Sequence, residues 1–264
     1  MLEINGISKT FAPGTVNQKV ALDGLSLTVK DDDFITIIGS NGAGKSTLFN
    51  AICGTFFPDS GSIVLDGEDI TYQKEHRRSR KIGRVFQDPM RGTAPDMTIE
   101  ENLALAYTRS RVNPFAPALN AKTRALFREY AARFDMGLED RMKTKVGLLS
   151  GGQRQVVTLL MCTMVTPRLL LLDEHTAALD PATAQKIMQI TKQVVAEHTI
   201  PTLMITHNIS QALTTGTRTV MMDGGQIIFE TEGEARDKMS VEDLLAKYKE
   251  KKQEDLDNDR ILLS

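Results

Sequence analysis

The sequence predicts an α/β domain with a mostly parallel sheet, an N-terminal antiparallel β-subdomain and an inserted α-helical subdomain. Three observations lead to this prediction. Short apolar runs typical of buried strands alternate with helical patterns, as in sheets that carry helices on both faces. A glycine-rich loop separates one of these strands from the next helix. Residues from about 95 to 157 change to a mainly helical pattern.

The N-terminal part is predicted to form strands around one helix. Its strand candidates either alternate apolar and polar residues or are short apolar runs. The helix Lys45–Cys53 should end at Gly54, because glycine readily adopts the left-handed conformation that closes helices. The strand candidates are Leu2–Ile4, Leu25–Val29, Phe34–Ile38 and Ile63–Gly67, the last including its turn.

Three helices are predicted in the middle of the chain. The first begins after Thr98, which together with Glu101 has the spacing of a capping box. Proline interrupts helices because it has no backbone N–H, so it marks the limits of the others. The other two are Ala121–Met136, closed by Gly137, and a helix that begins at Ser150 and ends before Pro167, while Pro114 and Pro117 mark a loop.

The C-terminal part returns to the alternating pattern. Leu169–Leu172 is a fully apolar strand. Asp180 and Pro181 supply an N-cap and a first helical residue for a helix that runs to about His198. Later segments are the strand Leu203–Thr206, a hairpin of Val220–Met222 and Gln226–Phe229 around Asp223, Gly224 and Gly225, and a charged tail from about Ser240 that predicts a solvated helix.

Composition narrows the class of protein. The chain has 264 residues and a net charge of −2, so no overall basic field indicates nucleic acid as a partner. Cys53 and Cys162 are the only cysteines, which argues against a disulfide framework and fits a reducing cytoplasm. No apolar run approaches the roughly 18–20 residues that span a bilayer. The basic run Lys74–Lys81 is best explained as a solvated helix face.

A phosphate-binding loop is the first functional feature. The segment matches G-x-x-x-x-G-K-[ST] between a predicted strand and a predicted helix, which indicates a P-loop NTPase core. Backbone N–H groups of such a loop surround a phosphate, Lys45 would contact the β- and γ-phosphates, and the Ser46 hydroxyl would bind Mg²⁺. The loop consists of Gly39, Ser40, Asn41, Gly42, Ala43, Gly44, Lys45, Ser46 and Thr47.

An acidic pair follows the apolar strand Leu169–Leu172. Asp173 and Glu174 stand at its carboxyl end, where open α/β sheets bind ligands. Asp173 would hold the Mg²⁺ shell, and Glu174 would orient or deprotonate the attacking water. A solvated turn is the alternative explanation for two such carboxylates.

A second string, Leu149–Gln153, lies far downstream of the loop. Together and in this order, the two strings resemble the ATP-binding cassette ATPases, the motor subunits of ABC transporters. The resemblance covers about residues 1–235. It implies ATP and Mg²⁺ as cofactors and one ATPase domain over 1–240. The core and β-subdomain would be about 1–90 and 158–235, the helical subdomain about 91–157, and the charged helical tail 241–264.

The resemblance also implies roles for single residues. His207 would be the histidine that senses the γ-phosphate. Gln87 would be the glutamine that touches Mg²⁺ and water and links the helical subdomain to the core. Phe11 would stack on adenine, with Val20 beside it, although a lone aromatic residue is more often part of the core.

A second copy of the chain is the partner that the resemblance implies. In this family the second string closes over nucleotide held by the other chain of a head-to-tail dimer. Glycines at a helix start expose backbone donors at a positive helix end, which suits an arriving phosphate. The residues expected to act in trans are Ser150, Gly151, Gly152, Gln153 and Asp180.

Transport would need further partners. The resemblance implies transmembrane permease subunits that dock near residues 87–105, and an extracytoplasmic substrate-binding protein that acts on the permease. The chain would then sit at the cytoplasmic face of the membrane as a peripheral subunit. The alternatives are an ABC ATPase in a non-transport role and a nucleotide-binding scaffold without turnover. The cargo cannot be read from this subunit.

The sequence departs from the family pattern at two places. His175 follows the acidic pair where proline is usual, and Leu160–Thr163 replaces a segment that commonly contains arginine. Neither place supplies a phosphate ligand, so we expect activity to persist. The string Glu174–Asp180 resembles an uncharacterised subgroup of bacterial importers, some of which are associated with amino acids.

Overall fold

The computed structural model describes residues 1–109 and 118–250. They form two compact units, Met1–Glu75 with the described part of Leu203–Ser264, and His76–Thr202. The α/β class predicted from the sequence is confirmed. The predicted loop at Pro114 and Pro117 and the tail beyond residue 250 lie outside the described residues.

The described part of the chain up to residue 163 contains six strands and five helices. Strands and helices are β1 (Leu2–Phe11), β2 (Lys19–Val29), β3 (Phe34–Gly39), α1 (Lys45–Cys53), β4 (Ser60–Leu65), β5 (Glu68–Asp69), α2 (Glu75–Arg78), β6 (Ile82–Val85), α3 (Ile99–Thr108), α4 (Ala121–Ala132) and α5 (Gly151–Thr163). Short 3-10 turns lie at Pro89–Gly92 and Val146–Leu148.

The remaining elements complete the chain. They are β7 (Leu169–Asp173), α6 (Pro181–His198), β8 (Thr202–Ile205), α7 (Ile209–Thr214), β9 (Arg218–Asp223), β10 (Gln226–Glu232) and α8 (Gly233–Asp237). Residues 241–250 are also helical and are called α9 here.

The first unit contains two sheets. In one, β1 lies between β2 and β4 with antiparallel pairing, and β5 completes the order β2-β1-β4-β5. Apolar residues on one face of β1, such as Leu2 and Ile4, pair with Val29 and Leu27 of β2 and are buried. In the other, β3 pairs with β9 in parallel and β10 pairs with β9 antiparallel. Strand β3, apolar except for the buried Thr36, is buried on both sides, as the central strand of an α/β sheet should be.

The second unit is built around α5. Parallel strands β6 and β7 pair in register from Ile82↔Leu169 to Val85↔Leu172. Helix α5 packs against β6, α3 and α6. Its apolar residues Val156, Leu159 and Leu160 are fully buried, which explains why its long apolar stretch is a core helix. Within the described residues, no helix is both long and apolar enough to cross a membrane.

Two local expectations are corrected. Helix α4 ends at Ala132 instead of Met136, because the chain turns at Asp135, whose backbone is left-handed with φ 47°. Lys186 holds that turn by donating to the backbone oxygen of Asp135 at 2.5 Å. The basic run around α2 is mostly exposed, but Lys81 is half-buried and Arg78 is 1% exposed, so a solvated face does not account for Arg78.

A buried histidine follows β7. His175 is 2% exposed, and its Nε2 lies 3.2 Å from the Thr191 hydroxyl on α6. Thr191 donates its single hydroxyl proton to the backbone oxygen of Ile187 at 2.8 Å, so Nε2 of His175 must carry the proton of this hydrogen bond. Burial disfavours the charged imidazolium and lowers the pKa of His175 to about 4.

This burial predicts a pH-dependent stability. In the unfolded chain His175 takes up a proton near its ordinary pKa of 6.5, whereas the folded protein resists protonation down to about 4. The contribution of His175 to the free energy of unfolding is therefore complete above pH 6.5 and is lost as the pH falls towards 4. Between pH 6.5 and 4 the wild-type free energy of unfolding should therefore fall, and His175→Gln should remove up to about 3 kcal/mol of that fall. Urea unfolding at several pH values across this range measures the difference.

The control for this prediction is His76→Gln, which changes an exposed histidine. That variant should follow the wild-type pH profile. A His175→Gln profile that parallels wild type from pH 7 to 4 would contradict the prediction.

Candidate functional site

The glycine-rich loop connects β3 to α1 in the first unit. Its backbone path requires glycine at two points. A Cβ atom on Gly39 would lie 2.2 Å from the backbone oxygen of Met222 on β9. Gly44 has φ 99°, and a Cβ atom there would lie 2.5 Å from the backbone oxygen of Ala21. The loop therefore takes its shape from close contact with β9 and β2.

Lys45 is the first residue of α1 and is only 6% exposed. Its ammonium group donates to the backbone oxygens of Gly39 at 2.7 Å and Ser40 at 2.9 Å. The lysine therefore lies over its own loop, with its charge satisfied by carbonyl dipoles. Beside it, Asn41, Gly42 and Ser46 are exposed, so an anion can reach the loop and the first turn of α1.

The hairpin between β9 and β10 anchors this loop. Ser40 donates to Oδ1 of Asp223 at 2.7 Å, and the N–H of Gly225 donates to the backbone oxygen of Ala43 at 3.1 Å. The Tyr248 hydroxyl on α9 donates to the same Asp223 oxygen at 3.3 Å. The sequence predicts only a turn at Asp223. Its aspartate–glycine–glycine pattern does not indicate that the Asp223 carboxylate also accepts hydrogen bonds from Ser40 and Tyr248.

His207 lies close to the start of the loop. It follows β8, is exposed, and lines a cavity of about 160 Å³ together with Gly39 and Ser40. The opposite wall is apolar and includes Leu244 and Tyr248 of α9. The structure therefore brings His207 and the loop together within the first unit.

Phe11 and Val20 lie on the neighbouring strands β1 and β2. Their exposed fractions are 39% and 49%, so neither belongs to the core. The ring of Phe11 meets that of Phe56 edge to face at 5.3 Å. Strand β2 also borders the glycine loop, since a Cβ atom on Gly42 would lie 3.5 Å from the Lys19 ammonium. An exposed aromatic ring thus stands on the strand pair that flanks the loop.

Asp173 is the last residue of β7 in the second unit, and Glu174 follows it directly. Both are half-buried, and Glu174 has a left-handed backbone with φ 48°. Oδ2 of Asp173 accepts a hydrogen bond from Arg84 at 2.8 Å. Sequence reasoning missed Arg84, although a charged residue inside the buried strand Ile82–Val85 was a visible signal.

Gln87 follows β6 and is exposed. The residue before it is fixed, because the buried side chain of Gln155 donates to the backbone oxygen of Phe86 at 3.2 Å. Asp88 caps the following 3-10 turn by accepting from the N–H of Met90 at 2.9 Å. Gln87 therefore projects from a short connection held at both ends.

Ser150 begins α5 as its N-cap. Its hydroxyl accepts from the N–H of Gln153 at 3.2 Å, and Oε1 of Gln153 accepts from the N–H of Ser150 at 3.3 Å. The two residues form a capping box, a role for Gln153 that its spacing to Ser150 could have revealed. Ser150 and Gly151 remain exposed.

The start of α5 meets the start of α6. A Cβ atom on Gly152 would lie 2.4 Å from Cγ2 of Thr183, so only glycine fits there. Asp180 caps α6 by accepting from the N–H of Thr183 at 3.0 Å, and this bonding to Thr183 lowers the pKa of Asp180. The residues expected to act in trans therefore lie together in the second unit.

Comparisons with known proteins agree with this geometry. A sequence model of the ABC transporter family matches residues 22–177, more than half of the chain. The tyrosine transport ATP-binding protein of Clostridioides difficile (strain R20291) is 40% identical over 248 residues, covering 94% of this chain and 98% of that protein. A methionine import ATP-binding protein of Rhizobium johnstonii is 38% identical over 213 residues, covering 80% of this chain and 56% of that protein.

Solved structures show the same architecture. An ATP-binding cassette solved as a dimer in a post-hydrolysis state, bound to ADP and Pi, matches with a TM-score of 0.76 and 28% identity. That match covers 88% of this chain and 98% of the cassette. With its glycine loop, acidic pair and capped helix start, the chain belongs to the ABC transporter family, as an ATP-binding subunit that hydrolyses ATP.

Proposed function

We propose that this chain is the ATPase of a bacterial importer and works as a head-to-tail dimer. The main support for the proposal is that one chain contains both halves of a nucleotide site. One is a glycine loop with a buried lysine, and the other is an exposed, capped helix start at Ser150. A loop of this kind holds a nucleotide, and an exposed helix start is suited to receive its phosphates from another molecule.

ATP binding is assigned to the first unit. The nine loop residues Gly39 to Thr47 would surround the phosphates, and Lys45 would exchange its carbonyl partners for the β- and γ-phosphate oxygens. The exposed ring of Phe11 would stack on adenine, with Val20 at its edge. His207 would contact the γ-phosphate, which is supported by the cavity that it shares with Gly39 and Ser40.

Mg²⁺ is the metal that the donor chemistry fits. Among the described residues, no cluster of three or more His, Cys, Asp or Glu side chains could hold a metal by itself. Mg²⁺ takes oxygen ligands, keeps several waters and is commonly bound through one or two protein groups with substrate phosphates. We assign it to Ser46, Asp173 and Gln87, and when bound it would neutralise charge that develops on the phosphates.

Hydrolysis is assigned to Glu174. Its carboxylate would orient the attacking water and take up the proton of that water. The left-handed turn at Glu174 places it directly after the buried strand β7, on a rigid element. Gln87 would help to position the same water.

The residues Ser150, Gly151, Gly152, Gln153 and Asp180 are assigned to ATP held by the second copy. Two helix starts, those of α5 and α6, lie together there through the contact of Gly152 with Thr183. Both ends present backbone N–H groups and positive dipole ends, which favour a phosphate.

Import is supported by the relatives, which include proteins named for tyrosine transport and methionine import. We propose an amino-acid cargo, transmembrane permease subunits that receive the motion, and an extracytoplasmic substrate-binding protein. The chain would then lie at the cytoplasmic face of the membrane. Affinity purification of the chain from bacterial membranes tests this arrangement. It should recover an integral membrane permease, and recovery from the cytosolic fraction alone would oppose it.

The first prediction concerns Glu174. Glu174→Gln should bind ATP normally but lower the turnover number by about 10²–10⁴-fold, because the amide cannot accept the proton of the water. The variant should also accumulate as an ATP-bound dimer in size-exclusion chromatography. Glu129→Gln, which changes an exposed carboxylate, is the control. Turnover close to wild type in Glu174→Gln would remove Glu174 from the catalytic role.

A second prediction concerns the contact in trans. Ser150→Arg should leave nucleotide affinity within about twofold of wild type, because the ATP of each chain lies on its own loop, yet prevent ATP-dependent dimer formation. Ser240→Arg is the matched control, since Ser240 also caps the following residues by accepting from the N–H of Asp243. Normal dimer formation by Ser150→Arg would show that this helix start does not contact the other chain.

A third prediction concerns adenine. Phe11→Ala should weaken ATP binding by about fivefold or more, since a base stacked on an aromatic ring gains about 1–3 kcal/mol. Binding of inorganic tripolyphosphate should not change, because it has no base. Calorimetric titration with both ligands separates the two effects, and equal weakening of both would exclude Phe11 as the stacking residue.

A further inference from the structure

Arg84 and Asp173 form an ion pair between neighbouring parallel strands. Nη2 of Arg84 lies 2.8 Å from Oδ2 of Asp173, and the side chains are 12% and 14% exposed. Strands β6 and β7 hold the two residues at this separation, since Val85 is in register with Leu172. Removing two charges from water is costly, so such a pair is a weak source of stability.

The packing around Arg84 fixes its backbone and the plane of its side chain. The guanidinium lies over the ring of Phe86 at 4.6 Å, and the backbone oxygen of Arg84 accepts from Sγ of Cys162 at 3.2 Å. Arg91 lies over the same ring at 5.4 Å. The ring of Phe86 and the anchored backbone of β6 therefore hold the guanidinium beside Asp173.

The position of this pair matters because of the role assigned to Asp173. A guanidinium and a divalent cation both bind carboxylate oxygens, and both bring positive charge to the same place. While the pair persists, Oδ2 of Asp173 accepts a hydrogen bond from Arg84, and the positive charge of Arg84 opposes the approach of a metal ion.

We propose that Arg84 is a positioning residue that acts as a counter-charge for Asp173 and sets the affinity for Mg²⁺ by competition. Without metal, Arg84 orients the half-buried carboxylate and balances its charge. With Mg²⁺ and ATP bound, Asp173 would hold the metal instead, and the Arg84 guanidinium would release the carboxylate. This inference rests on the proposed assignment of Asp173 to the metal.

The competition predicts two effects of opposite sign. Replacing Arg84 by an uncharged residue removes the competitor, so Mg²⁺ should bind more tightly. The same change leaves the carboxylate that we assign to the metal without its counter-charge, so the anion ATP should bind more weakly when Mg²⁺ is absent. A residue that merely supports the fold would weaken both.

The experiment uses the full chain and a non-hydrolysable ATP analogue. Arg84→Met keeps an unbranched side chain against Phe86 and removes the charge. Calorimetry gives the dissociation constant of the analogue in EDTA, and a Mg²⁺ titration at fixed analogue concentration gives the half-maximal Mg²⁺ concentration. We expect that concentration to fall about tenfold, equivalent to about 1.4 kcal/mol, and the dissociation constant in EDTA to rise. An unchanged or higher Mg²⁺ requirement overturns the proposal.

Two controls separate this inference from the proposed function. Arg124→Met removes another arginine–carboxylate pair, with Glu100 at 3.2 Å, and should leave both quantities unchanged. Asp173→Asn should abolish the response to Mg²⁺. If Asp173→Asn still responds normally to Mg²⁺, the assignment of the metal to Asp173 is refuted. If Asp173→Asn loses this response but Arg84→Met has no effect on the Mg²⁺ requirement, only the role of Arg84 is refuted.

A conservative variant keeps the test decisive if Arg84→Met does not fold. Arg84→Lys retains the charge but loses the planar guanidinium that stacks on Phe86 and bonds the carboxylate. It should lower the half-maximal Mg²⁺ concentration by about two- to threefold, because a lysine competes less well at this distance. A folded Arg84→Lys protein with an unchanged or raised Mg²⁺ requirement overturns the proposal.

Discussion

The shape of the glycine-rich loop in the first unit depends on the hydrogen bonds of one buried ammonium group, that of Lys45. A charge that is 6% exposed needs partners, and the backbone oxygens of Gly39 and Ser40 provide them. Those carbonyls point inward only because the loop passes close to β9 and β2, where a side chain on Gly39 or Gly44 would collide with the backbone. Asn41, Gly42 and Ser46 stay exposed beside this lysine, so a phosphate can reach the loop and the first turn of α1.

In the second unit, the backbone N–H groups at two helix starts need hydrogen-bond acceptors. Ser150 and Asp180 each cap a helix with a side-chain oxygen, so few donors at these ends lack a partner. Gly152 lets α5 approach Thr183 of α6, which places the two capped ends side by side. The residues that we propose for contact with the second copy therefore also stabilise the starts of their own helices.

Two largely buried polar side chains lie next to the acidic pair that follows the apolar part of β7. His175 packs between the acidic pair and α6 as a neutral donor to Thr191, and Arg84 balances the charge of Asp173 from the next strand. Both side chains are polar groups in a poorly solvated place, and each has a defined partner, as burial requires. They surround the carboxylates without supplying a phosphate ligand themselves.

The sequence by itself determined the α/β class, the family and the starts of several helices, because caps and glycine stops are local signals. Strand limits were less well determined, since β1 continues to Phe11 and β2 already begins at Lys19. Thr98, Ser150 and Asp180 all cap the helices that they were expected to begin. Only the tertiary structure decided which distant residues pair. Ser40 meets Asp223 across 183 positions and Arg84 meets Asp173 across 89. The order of strands in a sheet sets such contacts, and local patterns along the chain carry no record of that order.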